Sequence, residues 1–184
     1  MKIALIRHGT TEGNYKKRYI GSTDEPLADT KSLDLNYPTC DIVVASSLKR
    51  CIETAEFIYP NKEVKICPDL SECNFGDFEN KSYEELKDNA DYIKWLKSNG
   101  TLPFPNGEAH EDFKARSVSG FYSSLEGNEK SVAFVIHGGT IMAIMQHIFG
   151  GSFYDYQIRN GGMITFDFDI ETKKPLGGYM REEQ

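Results

Sequence analysis

The chain has 184 residues, 39% of them hydrophobic, enough for one sizeable core without a forced split, so a single domain over 1–184 is expected. A formal charge of -7 argues against nucleic acid or an anionic membrane as the main partner, since either asks for a basic face, but it leaves room for a small anion pocket built from paired arginines. Cys40, Cys51, Cys67 and Cys73 form no CxxC pair and no zinc spacing with histidine, and no run of 18 apolar residues occurs; free thiols and a cytoplasmic location are expected.

Taken in chain order, short Val/Ile-rich runs alternate with helical patterns. KIALI (2–6) predicts a strand buried on both faces, and it ends abruptly in Arg7, His8 and Gly9. DIVVA (41–45) predicts a second strand, leading into a helix over 47–59 whose stripe is Leu48, Cys51, Ile52, Ala55, Phe57, Ile58 and Tyr59. EVKIC (63–67) predicts a third strand, followed by the turn carrying Glu72. A stripe of Tyr83, Leu86, Ala90, Ile93 and Leu96 predicts one helix over 82–98. NGTLPFPNGEAHED (99–112) reads as an exposed rim or lid entering a helix near 109–125. SVAFVI (131–136) predicts a fourth strand, then a helix over 139–149 stopped by Gly150 and Gly151. MITFDFD (163–169) alternates like a strand and pairs antiparallel with LGGYMRE. This order predicts a three-layer α/β/α fold with a mostly parallel central sheet.

In such a sheet, ligands bind beyond the carboxyl ends of the strands. Two strands end there in His-Gly, delivering Arg7 with His8 and His137 with Gly138 and Gly139; the glycines admit close backbone approach, and the free N–H groups of the following helix favour an anion. Arg50 falls in the first turn of a helix, off its apolar stripe. A cation there opposes the helix dipole unless an anion lies nearby, and Arg7 and Arg50 together suit bidentate binding of phosphate-like oxygens. Glu72, also beyond a strand end, is the candidate proton donor. The remaining histidines, His110 and His147, read as solvated. A metal held by His8, His137 and a carboxylate finds no HxxxH or HxH spacing to support it.

The stretch RHGTTEGN, with GSTDEPL (21–27), SSLKRCIETAE (46–56), LSECNFGDFE (70–79), FPNGE (104–108) and VIHGGT (135–140), resembles the motif series of the histidine phosphatase superfamily, which includes the cofactor-dependent phosphoglycerate mutases. The resemblance implies a phosphoglycerate mutase-like fold, no cofactor, and a small phosphorylated metabolite as partner. It implies that His8 is the nucleophile, that Arg7, Asn14, Arg50 and His137 bind the phosphoryl group, and that Glu72 is the acid. Ile20 and Gly21 match a position where backbone meets substrate, and Gly138 offers close approach. Residues 28–40 are too short for the family's first helix, which is therefore cut down or lost, thinning one side of the sheet and favouring a homodimer. The chain's length and GSTDEPL resemble the compact phosphatase branch, including the α-ribazole 5′-phosphate phosphatases of cobalamin synthesis. Phosphoglycerate mutase and broad sugar-phosphate phosphatase are alternatives; a non-catalytic phosphate-binding protein would be expected to lack His8 or Glu72, and both are present.

Overall fold

The computed structural model describes residues 1–183. Strands β1 (Lys2–Arg7), β2 (Ile42–Ala45), β3 (Val64–Ile66), β4 (Ser131–Ile136), β5 (Met163–Asp169) and β6 (Lys174–Glu182) form one sheet in the order β3-β2-β4-β1-β5-β6. The first four run parallel, with Ile6 opposite Val135 and Val44 opposite Phe134. The C-terminal hairpin β5–β6 adds two antiparallel strands beside β1, as its alternation predicted. β4, central and covered on both faces, buries Val132 to Ile136 without a break, whereas the edge strand β6 is exposed almost throughout.

Helices α5 (His110–Ser123) and α6 (Gly138–Phe149) cover one face, packing Phe121, Ile141 and Met145 against Leu5, Phe134 and Ile136. The other face rests on α2 (Lys49–Ile58), whose Cys51 and Ala55 meet Ile6, Ala45 and Val135. A third cluster, rich in aromatic rings, joins Phe78, Tyr92, Phe104 and Phe113 beside the strand ends. Among the described residues no helix is long and apolar enough to cross a membrane.

Two local expectations change and a third is met. The 82–98 stripe is two helices, α3 (Tyr83–Leu86) and α4 (Ala90–Lys97), because Asn89 caps a new start by accepting from the Asp91 and Tyr92 amides. The 99–112 segment is less exposed than its composition suggests: Phe104 inserts among Phe75, Phe78 and Trp95 and pins the loop to the rim. Residues 28–40 carry neither helix nor strand, in keeping with the expected loss of a first helix there. Leu33, Leu35 and Tyr37 fill part of its place, the Tyr37 hydroxyl donating to Gly161 O at 2.7 Å. A cavity of about 430 Å³ remains between residues 36–40 and the sheet. A short α1 (Glu12–Tyr15), capped by Thr11, follows β1 directly.

Candidate active site

The parallel register sets Arg7 opposite Ile136, so the two His-Gly turns emerge side by side. The His8 and His137 rings meet edge to face, 5.2 Å between centroids. His8 Nδ1 lies 2.7 Å from Gly9 O. A carbonyl only accepts, so Nδ1 carries the proton and Nε2 keeps its lone pair. Burial, reinforced by the positive charges of Arg50 and Arg7, pushes the imidazole well below its ordinary pKa and keeps it neutral. Thr54 Oγ1 accepts from the Gly9 amide at 2.9 Å and ties this turn to α2.

Arg50 is fully buried rather than merely off-stripe. Its Nη1 and Nη2 donate to Thr23 O and Gly21 O, both at 2.7 Å, and its Nε donates to His137 Nδ1 at 3.3 Å. His137 therefore carries its proton on Nε2, which donates to Ser46 Oγ at 2.8 Å. Burial and then Arg50 depress its pKa well below the usual histidine value. The Gly21–Thr23 turn that holds Arg50 is itself held by Glu79, whose carboxylate accepts from the Gly21, Ser22 and Phe75 amides and from Thr23 Oγ1. Gly21 thus has both its N–H and its C=O engaged inside the protein, orienting Arg50. Arg7 donates from Nη1 to Ile158 O at 2.6 Å and lies flat on Gly138, where an added Cβ would stand 3.3 Å from its Cζ.

Glu72 is buried, Oε1 accepting from its neighbour Cys73 N and Oε2 from Gly139 N in the first turn of α6, each at 3.0 Å. Burial raises its pKa; the two amide bonds, Arg50 and Arg7 oppose that rise without cancelling it.

These groups surround one end of a cavity of about 430 Å³. Arg7, Asn14, Ile20, Glu72, Gly138 and Asn160 line it, and His8, Arg50 and His137 are buried. Its outer wall is aromatic, with Tyr19, Phe75, Trp95, Phe104, Phe153 and Tyr154, and Lys17 and Arg18 stand at the rim. His110, expected on a solvated surface, instead lines this wall with its ring 4.7 Å from Phe153, because α5 begins at the cavity edge. His147 is exposed as expected. A larger cavity of about 780 Å³ on another side of Arg7, bounded by Thr10, Ser32 and Glu183, contains neither Glu72 nor the aromatic wall, so the chemistry belongs to the smaller one. Among the described residues no three His, Cys, Asp or Glu side chains converge as metal ligands, and the four cysteines are unpaired.

Sequence reading missed Asn160, which touches both His8 and Asn14, and the Phe153–Tyr154 pair. The Asn-Gly-Gly of 160–162 marks a turn, but nothing local shows that this turn folds back onto β1.

Comparison with known proteins agrees with this arrangement. The family model "Histidine phosphatase superfamily (branch 1)" matches residues 3–175. The adenosylcobalamin/alpha-ribazole phosphatase of Salmonella typhimurium is 28% identical, over 91% of this chain and 90% of its own length. The crystal structure of the alpha-ribazole phosphatase from Shigella flexneri superposes with a TM-score of 0.80 at 26% identity, covering 95% of this chain and 93% of that one. A phosphoglycerate mutase structure from Thermus thermophilus gives 0.74 at 26% identity, covering 98% of each. With the motif series, the sheet order and the match over 3–175 in agreement, the chain belongs to the histidine phosphatase superfamily, branch 1, and is a hydrolase of phosphate esters.

Proposed function

We propose that the protein is a metal-independent phosphomonoesterase working through a phosphohistidine at His8 Nε2, and that its substrate is a small phosphorylated metabolite of the α-ribazole 5′-phosphate type. The observation that carries the reading is that His8 Nδ1–H is held by Gly9 O, leaving Nε2 free, while Glu72, its pKa raised by burial, lines the same cavity as Arg7 and Asn14.

Chemistry follows in two steps. The Nε2 lone pair attacks phosphorus in line, the P–O bond to the leaving group breaks, and Glu72 gives its proton to the departing alkoxide. Glu72, now a carboxylate, takes a proton from water as the water oxygen attacks phosphorus; the P–N bond breaks, phosphate leaves, and both residues return to their starting states. Arg7, Arg50 and the Asn14 amide stabilise charge on the equatorial oxygens, each such donor contributing roughly 10²-fold or more, and His137 joins them by turning its Nε2–H from Ser46 Oγ to the substrate. The leaving group then lies along the aromatic wall, which suits a planar ring. Names of relatives such as the Salmonella typhimurium enzyme support the α-ribazole assignment, and the aromatic wall favours it over the phosphoglycerate for which other relatives are named, whose small polar body has no use for that wall. Cytoplasmic residence belongs to the same reading, in keeping with four unpaired thiols.

Turnover of a panel of α-ribazole 5′-phosphate, 3-phosphoglycerate and sugar phosphates in EDTA tests this. Highest kcat/KM for the ring-bearing ester is expected. Loss of activity to the chelator, or faster conversion of 3- to 2-phosphoglycerate than release of phosphate, contradicts it.

A further inference from the structure

Asn160 contributes nothing to the motif series, yet its side chain reaches the nucleophile's turn and Asn14 together. It sits in the turn before β5, whose antiparallel pairing with β1 returns residues 160–162 to the strand end: Gly161 N donates to Arg7 O and His8 O. The Asn160 amide reaches His8 O at 3.1 Å, Gly9 O at 3.3 Å and Asn14 Oδ1 at 3.0 Å. Two of these partners are backbone carbonyls, which only accept, so the atom facing them is the amide nitrogen. Asn14 is then fixed by the same logic. Its Oδ1 takes hydrogen bonds from Asn160 Nδ2 and from the Thr11 backbone N–H at 3.2 Å, so that edge of its amide must be the oxygen. The two Asn14 Nδ2 donors therefore face the other way, and Asn14 lines the cavity. On the other side, Asn160 reaches the Gly9 carbonyl that accepts the His8 Nδ1 proton, the bond that leaves Nε2 free.

We propose that Asn160 is a positioning residue that presets the phosphoryl site, locking the Asn14 amide with its NH₂ toward the substrate's phosphoryl oxygens. The inference rests on the phosphoryl-transfer reading of the cavity. Without Asn160 the Asn14 amide keeps only the Thr11 bond, and its donors lose their fixed direction. A group misplaced by about an ångström at a reacting centre costs about 10²-fold, and the Asn14 share of that loss passes through Asn14 alone.

A double-mutant cycle tests it. Asn160→Ala should lower kcat/KM about 30-fold in the native chain and less than about threefold in an Asn14→Ala background. Asn160→Asp, matched in shape, should be worse than Asn160→Ala, because a carboxylate oxygen facing Asn14 turns that amide over and points its oxygen at the phosphoryl group; a packing role predicts that the isostere is the milder change. Circular dichroism melting of each variant separates misfolding from misplacement, and the Asp variant carries the test if the Ala variant does not fold. The same cycle run on the affinity for inorganic phosphate by calorimetry needs no turnover. Absence of turnover with a coupled phosphate-affinity cycle would overturn the phosphatase reading alone. Equal Asn160→Ala penalties in both backgrounds, or no penalty, would overturn the positioning role alone, and a native chain that binds no phosphate would overturn both.

Discussion

Gly139→Ala isolates the role of Glu72 with a single methyl group. Gly139 lies in the first turn of α6, and a Cβ built there stands 2.3 Å from Glu72 Oε1, about 1 Å short of an ordinary van der Waals contact. The carboxyl must retreat by that distance and strain its bond to the Gly139 amide. A displacement of this size costs about 10²-fold at a proton-transfer step. The helix itself gains from the change, since Ala is favoured over Gly in a helix by about 0.5–1 kcal/mol, so lost stability is not the expected confounder. The assay compares kcat/KM for two esters, because that constant reports steps through first departure of the leaving group. An alkyl phosphate, whose alkoxide needs the proton, should lose about 10²-fold; p-nitrophenyl phosphate, which departs as a stable phenolate, should lose severalfold at most. Equal losses on both esters, or none on either, would refute Glu72 as the proton donor.

Three further outcomes follow from the same geometry. His8 and His137, buried with pKa values pushed well below normal, each take up about one proton on unfolding below pH 6.5, and Glu72, pushed up, offsets part of that uptake by releasing protons; stability therefore falls as pH falls from 6.5 towards 5, by about 1.4 kcal/mol per pH unit for each net proton taken up. Denaturant titrations at pH 7.5 and 5.5 check the sign, and a flat or rising stability would count against the neutral pair. Glu79→Ala strips the acceptor from the Gly21, Ser22 and Phe75 amides, and should cost about 2–4 kcal/mol by thermal melting and weaken phosphate binding through Arg50. Tyr154→Ala, at an exposed position on the cavity wall, should leave the melting temperature in place and raise KM about threefold to tenfold for ring-bearing esters but not for glycerol phosphate; an equal rise for both would remove the wall from the specificity argument.

Much of this site is legible in the sequence because its parts sit at strand ends, where a short apolar run stops at a chemically distinctive residue. Arg7, His8, Glu72 and His137 announce themselves in this way, and the parallel sheet then brings them together without further instruction. Arg50 is harder to read: a cation in a first helical turn is ambiguous until its complete burial and its three bonds are seen. Asn160 and Glu79 are not legible, since each acts through backbone carbonyls or amides of a distant turn, and such contacts leave no residue-type pattern. His110 misleads for a related reason: its neighbours in sequence are polar, while its ring packs on Phe153, 43 positions away. The break at Asn89 was available in principle as an N-cap signal, but the continuous apolar stripe across it masks the boundary.

The central claim is a covalent phosphoryl group on His8 Nε2. Rapid-quench incubation with a ³²P-labelled phosphomonoester, followed by separation in alkali and in acid, tests it most directly. The expected result is label on the native chain that survives alkali, is released by acid and is absent from His8→Ala. Turnover by a chain that never carries label, or label and activity that persist in His8→Ala, would contradict it.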